Sequence, residues 1–269
     1  MAFIVEELSA RIGASIATDA QTLTSGKHSA EIRGLLEQRG VLVFPGLGLT
    51  DEQQIAFART LGPLEQELYK VSFDKEHNPE YAEYTRGTFS WHIDRIDLDV
   101  PPLGSMLTAR VLAPSGGETE FANTYAAYED LPEDRKAYLE TLQAVHTIAS
   151  SYRELPEISE ELRAFADKFE PKVQPLVWQH RSGRKSLAIG VHACGIVGMA
   201  QDEADGLLAE LLEWATRPQY VLRHSWRLGD TVIWDNTGTM HRVRPFDETC
   251  GRRLHRTTLL GEEPVAAAA

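Results

Sequence analysis

Apolar residues in this chain fall into short runs interrupted by glycine and proline, with a few longer stretches of helical period between them. Val41–Phe44 is wholly apolar and ends at Pro45-Gly46, which predicts a buried strand. Thr50 and Gln53 have the spacing of a capping box, so we expect a helix to begin there and to stop before Gly62. A buried strand followed by a capped helix is the first element pair that the pattern predicts.

The rest of the chain continues this mixture. Further helices are predicted from apolar spacing around residues 32–40, 132–142, 162–169 and 207–215. Further strands are predicted at residues 105–112, 118–121, 176–178, 186–189, 221–226, 231–234 and 252–260, with a hairpin between the third and fourth of these. Many short strands with inserted helices are typical of a mainly β fold with α additions, either a sandwich or a jelly roll.

Residues 64–90 are the part with the least regular pattern. They are aromatic, polar and charged, and no period is sustained. A segment of this length between ordered elements is often the lid of an active site, but a surface loop has the same composition. The sequence leaves both interpretations open.

Length and charge narrow the class of protein. A chain of 269 residues without an evident linker predicts one domain over residues 1–269. The net charge of −13 argues against non-specific binding to nucleic acid or to an anionic membrane, both of which need a basic surface. We see neither a signal peptide nor an apolar run long enough to cross a membrane. Two cysteines, Cys194 and Cys250, indicate reduced thiols and a cytoplasmic location. The closing residues 264–269 are expected to be a frayed tail.

Candidate metal ligands occur in two separated places. His92 and Asp94 are two residues apart, so on a strand or its extended end both side chains can reach one ion. His241, about 150 residues later, would complete a set of two histidines and one carboxylate. That set leaves positions open on non-haem Fe(II) for substrate and oxygen. On composition alone, His146 or His224 could replace His241.

Two arginines follow the last histidine. Arg252 and Arg256 would share one face of a strand, while Arg253 and His255 would share the other. Buried guanidinium groups need a partner, and a ligand carboxylate can supply one in bidentate fashion. Thr119, which follows a glycine turn, could donate a further hydrogen bond to such a carboxylate.

Taken together, these pieces resemble a known family. The chain is similar to the taurine dioxygenase and 2,4-D dioxygenase family of iron(II)- and 2-oxoglutarate-dependent oxygenases. The similar segments follow the family's order and cover most of the chain: residues 41–46, 51–58 with 61–63, 91–94, 116–119, 183–185, 234–236 with His241, and Arg252 with Arg256.

The resemblance implies a double-stranded β-helix (jelly-roll) core flanked by helices, with Fe(II), 2-oxoglutarate and O2 as cofactors. It implies His92, Asp94 and His241 as the iron ligands. It assigns Thr119 and Arg252 to the distal carboxylate of 2-oxoglutarate, and Arg256 to that carboxylate or to the substrate's own anionic group. Because members of the family are commonly dimers or larger, we expect a homo-oligomer.

The implied reaction is hydroxylation of a small, anionic organic acid with release of succinate and CO2. Substrate candidates are Lys70, Tyr69, Arg95 and His192, although each could equally be a solvated or packed side chain. An alternative is the same oxidative chemistry used for desaturation, cyclisation or epoxidation in a biosynthetic pathway. A third interpretation is a jelly-roll protein that binds a ligand without catalysis.

Overall fold

A computed structural model describes residues 3–79, 82–153 and 157–267 of the chain. The strands are β1 (Ile4–Glu7), β2 (Ala14–Ala17), β3 (Val41–Phe44), β4 (Leu64–Val71), β5 (Gly104–Val111), β6 (Thr119–Asn123), β7 (Gln143–His146), β8 (Lys172–Pro175), β9 (Val177–Gln179), β10 (Lys185–Leu187), β11 (Ala193–Ile196), β12 (Val221–His224), β13 (Thr231–Asp235), β14 (Thr239–Val243) and β15 (Arg253–Leu259). The α-helices are α1 (Ala20–Thr24), α2 (Ser29–Arg39), α3 (Asp51–Leu61), α4 (Thr124–Glu129), α5 (Glu133–Leu139), α6 (Glu160–Ala166) and α7 (Gln201–Ala215). Short 3-10 helices span Glu83–Phe89, Ile148–Tyr152 and Pro218–Tyr220.

The strands form one large sheet and three small ones. The large sheet has the order β1-β2-β3-β13-β5-β15-β4, and a three-stranded sheet has the order β12-β6-β14. The other two are β11-β7-β8 and the hairpin β10-β9. Phe121 of the three-stranded sheet packs with Val43, Trp234 and Leu254 of the large sheet in one buried cluster. The expected jelly-roll core with flanking helices is confirmed.

Helices α2 and α3 cover the outer face of the large sheet. Phe57 of α3 contacts Phe44 of β3 edge to face, with ring centroids 5.5 Å apart. The capping box predicted at the start of α3 is present, since the Thr50 hydroxyl accepts from the Gln53 amide and the Gln53 side chain accepts from the Thr50 amide. A second buried cluster packs around α7, whose Leu207 and Leu211 face inward.

The prediction for residues 64–90 was wrong in its first part. Residues 64–71 form β4, which pairs with β15 at the edge of the large sheet. The mixed polar composition hid this strand because an edge strand keeps much of its surface in water. Residues 80 and 81, within the same segment, lie outside the described part of the chain.

The C-terminal segment is also more ordered than the sequence suggested. The Trp178 indole donates to the Pro264 carbonyl oxygen at 3.1 Å, and the Gln179 amide donates to the Ala266 carbonyl oxygen at 2.9 Å. Glu263 accepts from the buried His180 ring and from the Arg181 amide, at 2.6 and 2.9 Å. The segment therefore docks along β9 and is no frayed tail over residues 264–267; residues 268 and 269 lie outside the described part.

Candidate active site

Strand β14 and the segment before β5 bring the first set of candidate residues together. His241 lies on β14. His92, which belongs to no named strand, pairs with it through two backbone hydrogen bonds of 2.9 and 3.0 Å. Asn236 holds the backbone of Asp94 on both sides, since its side chain accepts from the Asp94 amide and donates to the Asp94 carbonyl oxygen. The backbone of the fold thus fixes the positions of all three side chains.

The three side chains point at one another. Nε2 of His92 lies 3.7 Å from Oδ1 of Asp94, and Nε2 of His241 lies 3.6 Å from its Oδ2. One ligand atom from each residue lies within 4.8 Å of the others. Nδ1 of His92 is 2.8 Å from the carbonyl oxygen of Ser90, which requires a proton on Nδ1 and leaves the Nε2 lone pair for a metal.

The electrostatics of this cluster favour the ligating protonation states. Burial lowers the pKa of His92 and of His241, so both rings are neutral near pH 7. Burial alone would raise the pKa of Asp94, but Arg256 and the two histidines lower it overall, which keeps the carboxylate ionised. Two neutral imidazoles and one carboxylate form the donor set that suits non-haem Fe(II), so these residues fit that ion.

Arg252 lies just before β15 and is almost completely buried, with 5% of its surface exposed. Its Nη2 donates to the carbonyl oxygen of Gly117 at 2.8 Å, and its guanidinium lies 4.8 Å from the Phe246 ring. Burial lowers the pKa of Arg252 to about 10, yet no carboxylate of the described residues pairs with it. A buried cation without an anionic partner is costly, and an anionic ligand would remove that cost.

The turn next to Arg252 is shaped for it. Gly117 has φ +76°, and a Cβ there would lie 2.8 Å from Nε of Arg252, so only glycine leaves room for the guanidinium. Two residues on, the Thr119 hydroxyl accepts a 3.0 Å hydrogen bond from the Trp226 indole. Its own proton therefore remains available to a ligand oxygen. The turn and the arginine together form a candidate carboxylate site.

Arg256 occupies a different place from Arg252. It lies opposite Tyr69 on β4, and its guanidinium donates to the Asp94 carboxylate and, at 2.6 Å, to the Ser105 hydroxyl. The resemblance left two roles open for Arg256, binding the distal carboxylate of 2-oxoglutarate or binding the anionic group of the substrate. Its position beside a candidate metal ligand favours the second role. Arg253 and His255 face elsewhere, toward His77 and Asp51 respectively.

A cavity of about 480 Å³ opens beside this cluster. His92, Asp94 and Arg256 contribute to its wall, as do three of the four predicted substrate residues, Tyr69, Arg95 and His192. The remaining wall combines an aromatic and apolar part, formed mainly by Tyr84, Ile148, Tyr152, Phe165 and Phe169, with polar residues that include Glu65, Gln66, Thr85 and Thr88.

The structure does not bring one substrate candidate, Lys70, to the cavity. Lys70 is exposed and is not among the residues that line the cavity. It lies opposite His255, whereas its neighbour Tyr69 lies opposite Arg256, and alternate residues of a strand face opposite sides. His192 is buried, with its ring 6.1 Å from that of His92.

Sequence reasoning missed the aromatic wall. The spacing of Phe165 and Phe169 predicts the apolar face of the helix around residues 162–169, and such spacing is the same whether a side chain packs in a core or borders a cavity. Helix α6 ends at Ala166, and Phe165 instead contacts Tyr84 with ring centroids 3.8 Å apart.

Comparison with known proteins agrees with this geometry. Residues 5–258 match the family described as "Taurine catabolism dioxygenase TauD, TfdA family". An alpha-ketoglutarate-dependent 2,4-dichlorophenoxyacetate dioxygenase of Burkholderia sp. (strain RASC) is 41% identical over 90% of each chain. A pentalenolactone F synthase of Streptomyces arenae is 30% identical over 88% of each chain.

A solved structure is similar throughout. The crystal structure of AAD-2 in complex with Mn(II) and N-oxalylglycine superposes with a TM-score of 0.86 at 35% identity, covering 99% of this chain and 100% of that one. The triad, the fold and the relatives agree. The chain belongs to the TauD/TfdA family and is an iron(II)- and 2-oxoglutarate-dependent dioxygenase.

Proposed function

We propose that this enzyme hydroxylates a small organic acid with an aromatic body, of the aryloxyalkanoate type, with release of succinate and CO2. The observation that carries the proposal is the cavity itself, whose wall contains aromatic side chains together with Arg256, which contacts the metal ligand Asp94. The similarity of this chain to a 2,4-dichlorophenoxyacetate dioxygenase supports the same class of substrate.

Each part of the site has a role in this proposal. His92, Asp94 and His241 would hold Fe(II), which supplies activation of O2 when 2-oxoglutarate is bound. Arg252 and Thr119 would bind the distal carboxylate of 2-oxoglutarate, because Arg252 is a buried cation that has no carboxylate partner among the described residues. Arg256 would bind the anionic group of the substrate and orient the C–H bond toward the metal.

The surrounding residues would exclude water. Tyr84, Phe165 and Phe169 form an apolar part of the cavity wall. A dry boundary prevents oxidation that is not coupled to substrate, and it strengthens the ion pair between Arg256 and a substrate anion.

One experiment tests the proposal directly. Protein loaded anaerobically with Fe(II) and 2-oxoglutarate is mixed with a panel of acids, including phenoxyacetates, alkyl sulfates and aliphatic acids, and air is then admitted. We expect succinate release and O2 consumption in a one-to-one ratio, greatest for aryloxyalkanoates. Equal stimulation by aliphatic acids, or none by phenoxyacetates, would reject the substrate class.

The pentalenolactone F synthase similarity favours a second candidate outcome, an oxidation that forms a ring or a double bond. Product masses separate the two, because hydroxylation adds one oxygen atom whereas desaturation or ring closure removes two hydrogen atoms.

A homo-oligomer in the cytoplasm, without nucleic-acid or membrane partners, also remains part of the proposal. The net charge of −13 supports the lack of nucleic-acid binding. Within the described residues no helix is both long and apolar enough to span a membrane. Light scattering on the purified protein would measure the oligomeric state.

A further inference from the structure

The residue directly after Asp94 has an unusual backbone. Arg95 has φ +51°, and among the described residues it is the one non-glycine residue with positive φ. This backbone conformation is unfavourable for a long side chain and persists only when surrounding contacts hold it. We therefore expect the contacts of the Arg95 side chain to stabilise this backbone conformation.

Those contacts join Arg95 to a buried carboxylate. Nε and Nη2 of Arg95 donate to Oδ1 and Oδ2 of Asp97 at 3.0 and 3.1 Å, a bidentate arrangement. The Asp97 side chain is only 5% exposed, while that of Arg95 is 41% exposed. Arg95 lines the cavity and Asp97 does not, so Asp97 neutralises the Arg95 charge from outside the cavity.

Arg95 also borders the aromatic end of the cavity. Its guanidinium carbon lies 5.4 Å from the centroid of the Phe169 ring. A planar guanidinium next to an aromatic ring forms a flat wall on which another ring can stack. With its charge cancelled by Asp97, this wall suits an uncharged part of a substrate.

The two cavity arginines thus differ in what they offer a ligand. Arg256 is paired with Asp94, a carboxylate that a bound metal would share, whereas the partner of Arg95 lies outside the metal cluster. Arg95 keeps its neutralising partner in the loaded enzyme. Of the two cavity arginines, only Arg256 is then left to attract an anion.

We propose that the Arg95–Asp97 pair determines specificity for substrates with one anionic group, because Asp97 cancels the charge of Arg95 at the aromatic end of the cavity. This inference rests on the proposed function and adds the substrate's charge to it. Asp97 is a positioning residue that acts through Arg95. Without the Asp97 charge, Arg95 would be a free cation and would favour an acid with a second anionic group on its ring.

The test compares phenoxyacetate with 4-carboxyphenoxyacetate. For Asp97→Asn we expect the ratio of kcat/KM for the dianion to that for the monoanion to rise about tenfold over the natural protein, mainly through KM, as a charge pair of about 1.4 kcal/mol would give. Calorimetry with the protein loaded with Mn(II) and 2-oxoglutarate measures the Kd of each acid. We expect the Kd values to show the same preference for the dianion as the kcat/KM values do. The matched control is Asp99→Asn, two residues on, whose carboxylate is exposed and pairs with Lys172.

A second substitution separates charge from packing. In Asp97→Asn/Arg95→Gln the gain should disappear, because the freed cation is gone. Arg95→Gln alone leaves the Asp97 charge unpaired and should lower the dianion-to-monoanion ratio below that of the natural protein. This variant keeps the inference testable even where Asp97→Asn does not fold.

Three results would overturn the inference: an unchanged ratio in Asp97→Asn, the same rise in Asp99→Asn, or a gain that survives the double substitution. Natural protein that neither binds nor oxidises phenoxyacetate would instead reject the proposed substrate class, and this inference with it. Normal turnover of phenoxyacetate with an unchanged ratio rejects the role of the pair alone.

Discussion

The Arg252 guanidinium donates a 2.8 Å hydrogen bond to the carbonyl oxygen of Gly117, and that bond directs a buried cation toward the start of β6. The same glycine leaves no space for a side chain, so turn and arginine are complementary in shape. Arg252 has no carboxylate partner among the described residues, which makes it the residue whose loss should affect 2-oxoglutarate most.

Arg252→Ala should raise the KM for 2-oxoglutarate by roughly 30-fold or more, since removing one partner of a buried charge pair costs about 2–5 kcal/mol. Mn(II) affinity should change little, because Arg252 does not contact the triad. The control is Arg253→Ala, the adjacent arginine, which instead contacts His77. Similar KM values for the two variants would remove Arg252 from the site.

His241→Ala should abolish metal binding. We expect Mn(II) affinity to fall by more than about 100-fold, since losing even an outer partner of a ligand costs about 10–100-fold. Electron paramagnetic resonance of added Mn(II) measures the bound fraction. His28→Ala, which removes a histidine stacked on Phe3 and hydrogen-bonded to Glu31, should bind Mn(II) as the natural protein does. Retained binding in His241→Ala would contradict the ligand assignment.

His146 should make the fold sensitive to acid. Its two ring nitrogens are buried without a hydrogen-bond partner among the described residues, and burial, with a smaller contribution from His192, lowers its pKa to about 3. Between pH 6.5 and pH 3 the His146 ring is protonated in the unfolded chain but stays neutral in the folded protein. His146 alone should therefore contribute a fall of about 1.4 kcal/mol per pH unit in the free energy of unfolding through that window, and none above it.

His146→Leu removes this proton and both unpaired nitrogens. Urea unfolding at pH 7.5 and pH 5 should show a smaller loss of stability in the variant than in the natural protein. His77→Leu, at a partly exposed position, serves as the control. An equal loss in His146→Leu and the natural protein would show that His146 is not the source of the effect.

Glu263 should anchor the C-terminal segment. Glu263→Ala leaves the buried His180 ring and the Arg181 amide without their acceptor, so we expect a loss of about 2–3 kcal/mol in the free energy of unfolding. Glu262→Ala breaks a more exposed pair with Arg33 and should cost less than about 1 kcal/mol. Chemical denaturation of both variants measures the difference, and equal losses would argue against the anchor.

The sequence predicted the His92–Asp94 half of the metal cluster from local information, whereas His241 followed only from the family resemblance, because on composition His146 or His224 could take its place. His92 and Asp94 are two residues apart, and Asn236, which holds the backbone of Asp94, belongs to a short segment that the resemblance already included. The capping box of α3 was predictable for the same reason, since Thr50 and Gln53 contact each other within one helical turn.

The parts that could not be predicted depend on partners distant in the chain. Whether Lys70 or Tyr69 faces the cavity depends on the register of β4 against β15, which has irregularities that a period of two does not reveal. The docking of the C-terminal segment uses backbone acceptors at Pro264 and Ala266, which any residue type supplies. A run of alanines therefore carries no sign of it.

The two backbone hydrogen bonds between His92 and His241 close a loop of about 150 residues. Closing so long a loop is entropically unfavourable, and here the sheet does it with peptide groups and not with the ion. We therefore expect chelators to strip this enzyme without unfolding it, unlike small zinc domains that collapse when their metal is withdrawn. We expect that removing iron and adding it back would switch the activity off and on in the same protein molecules.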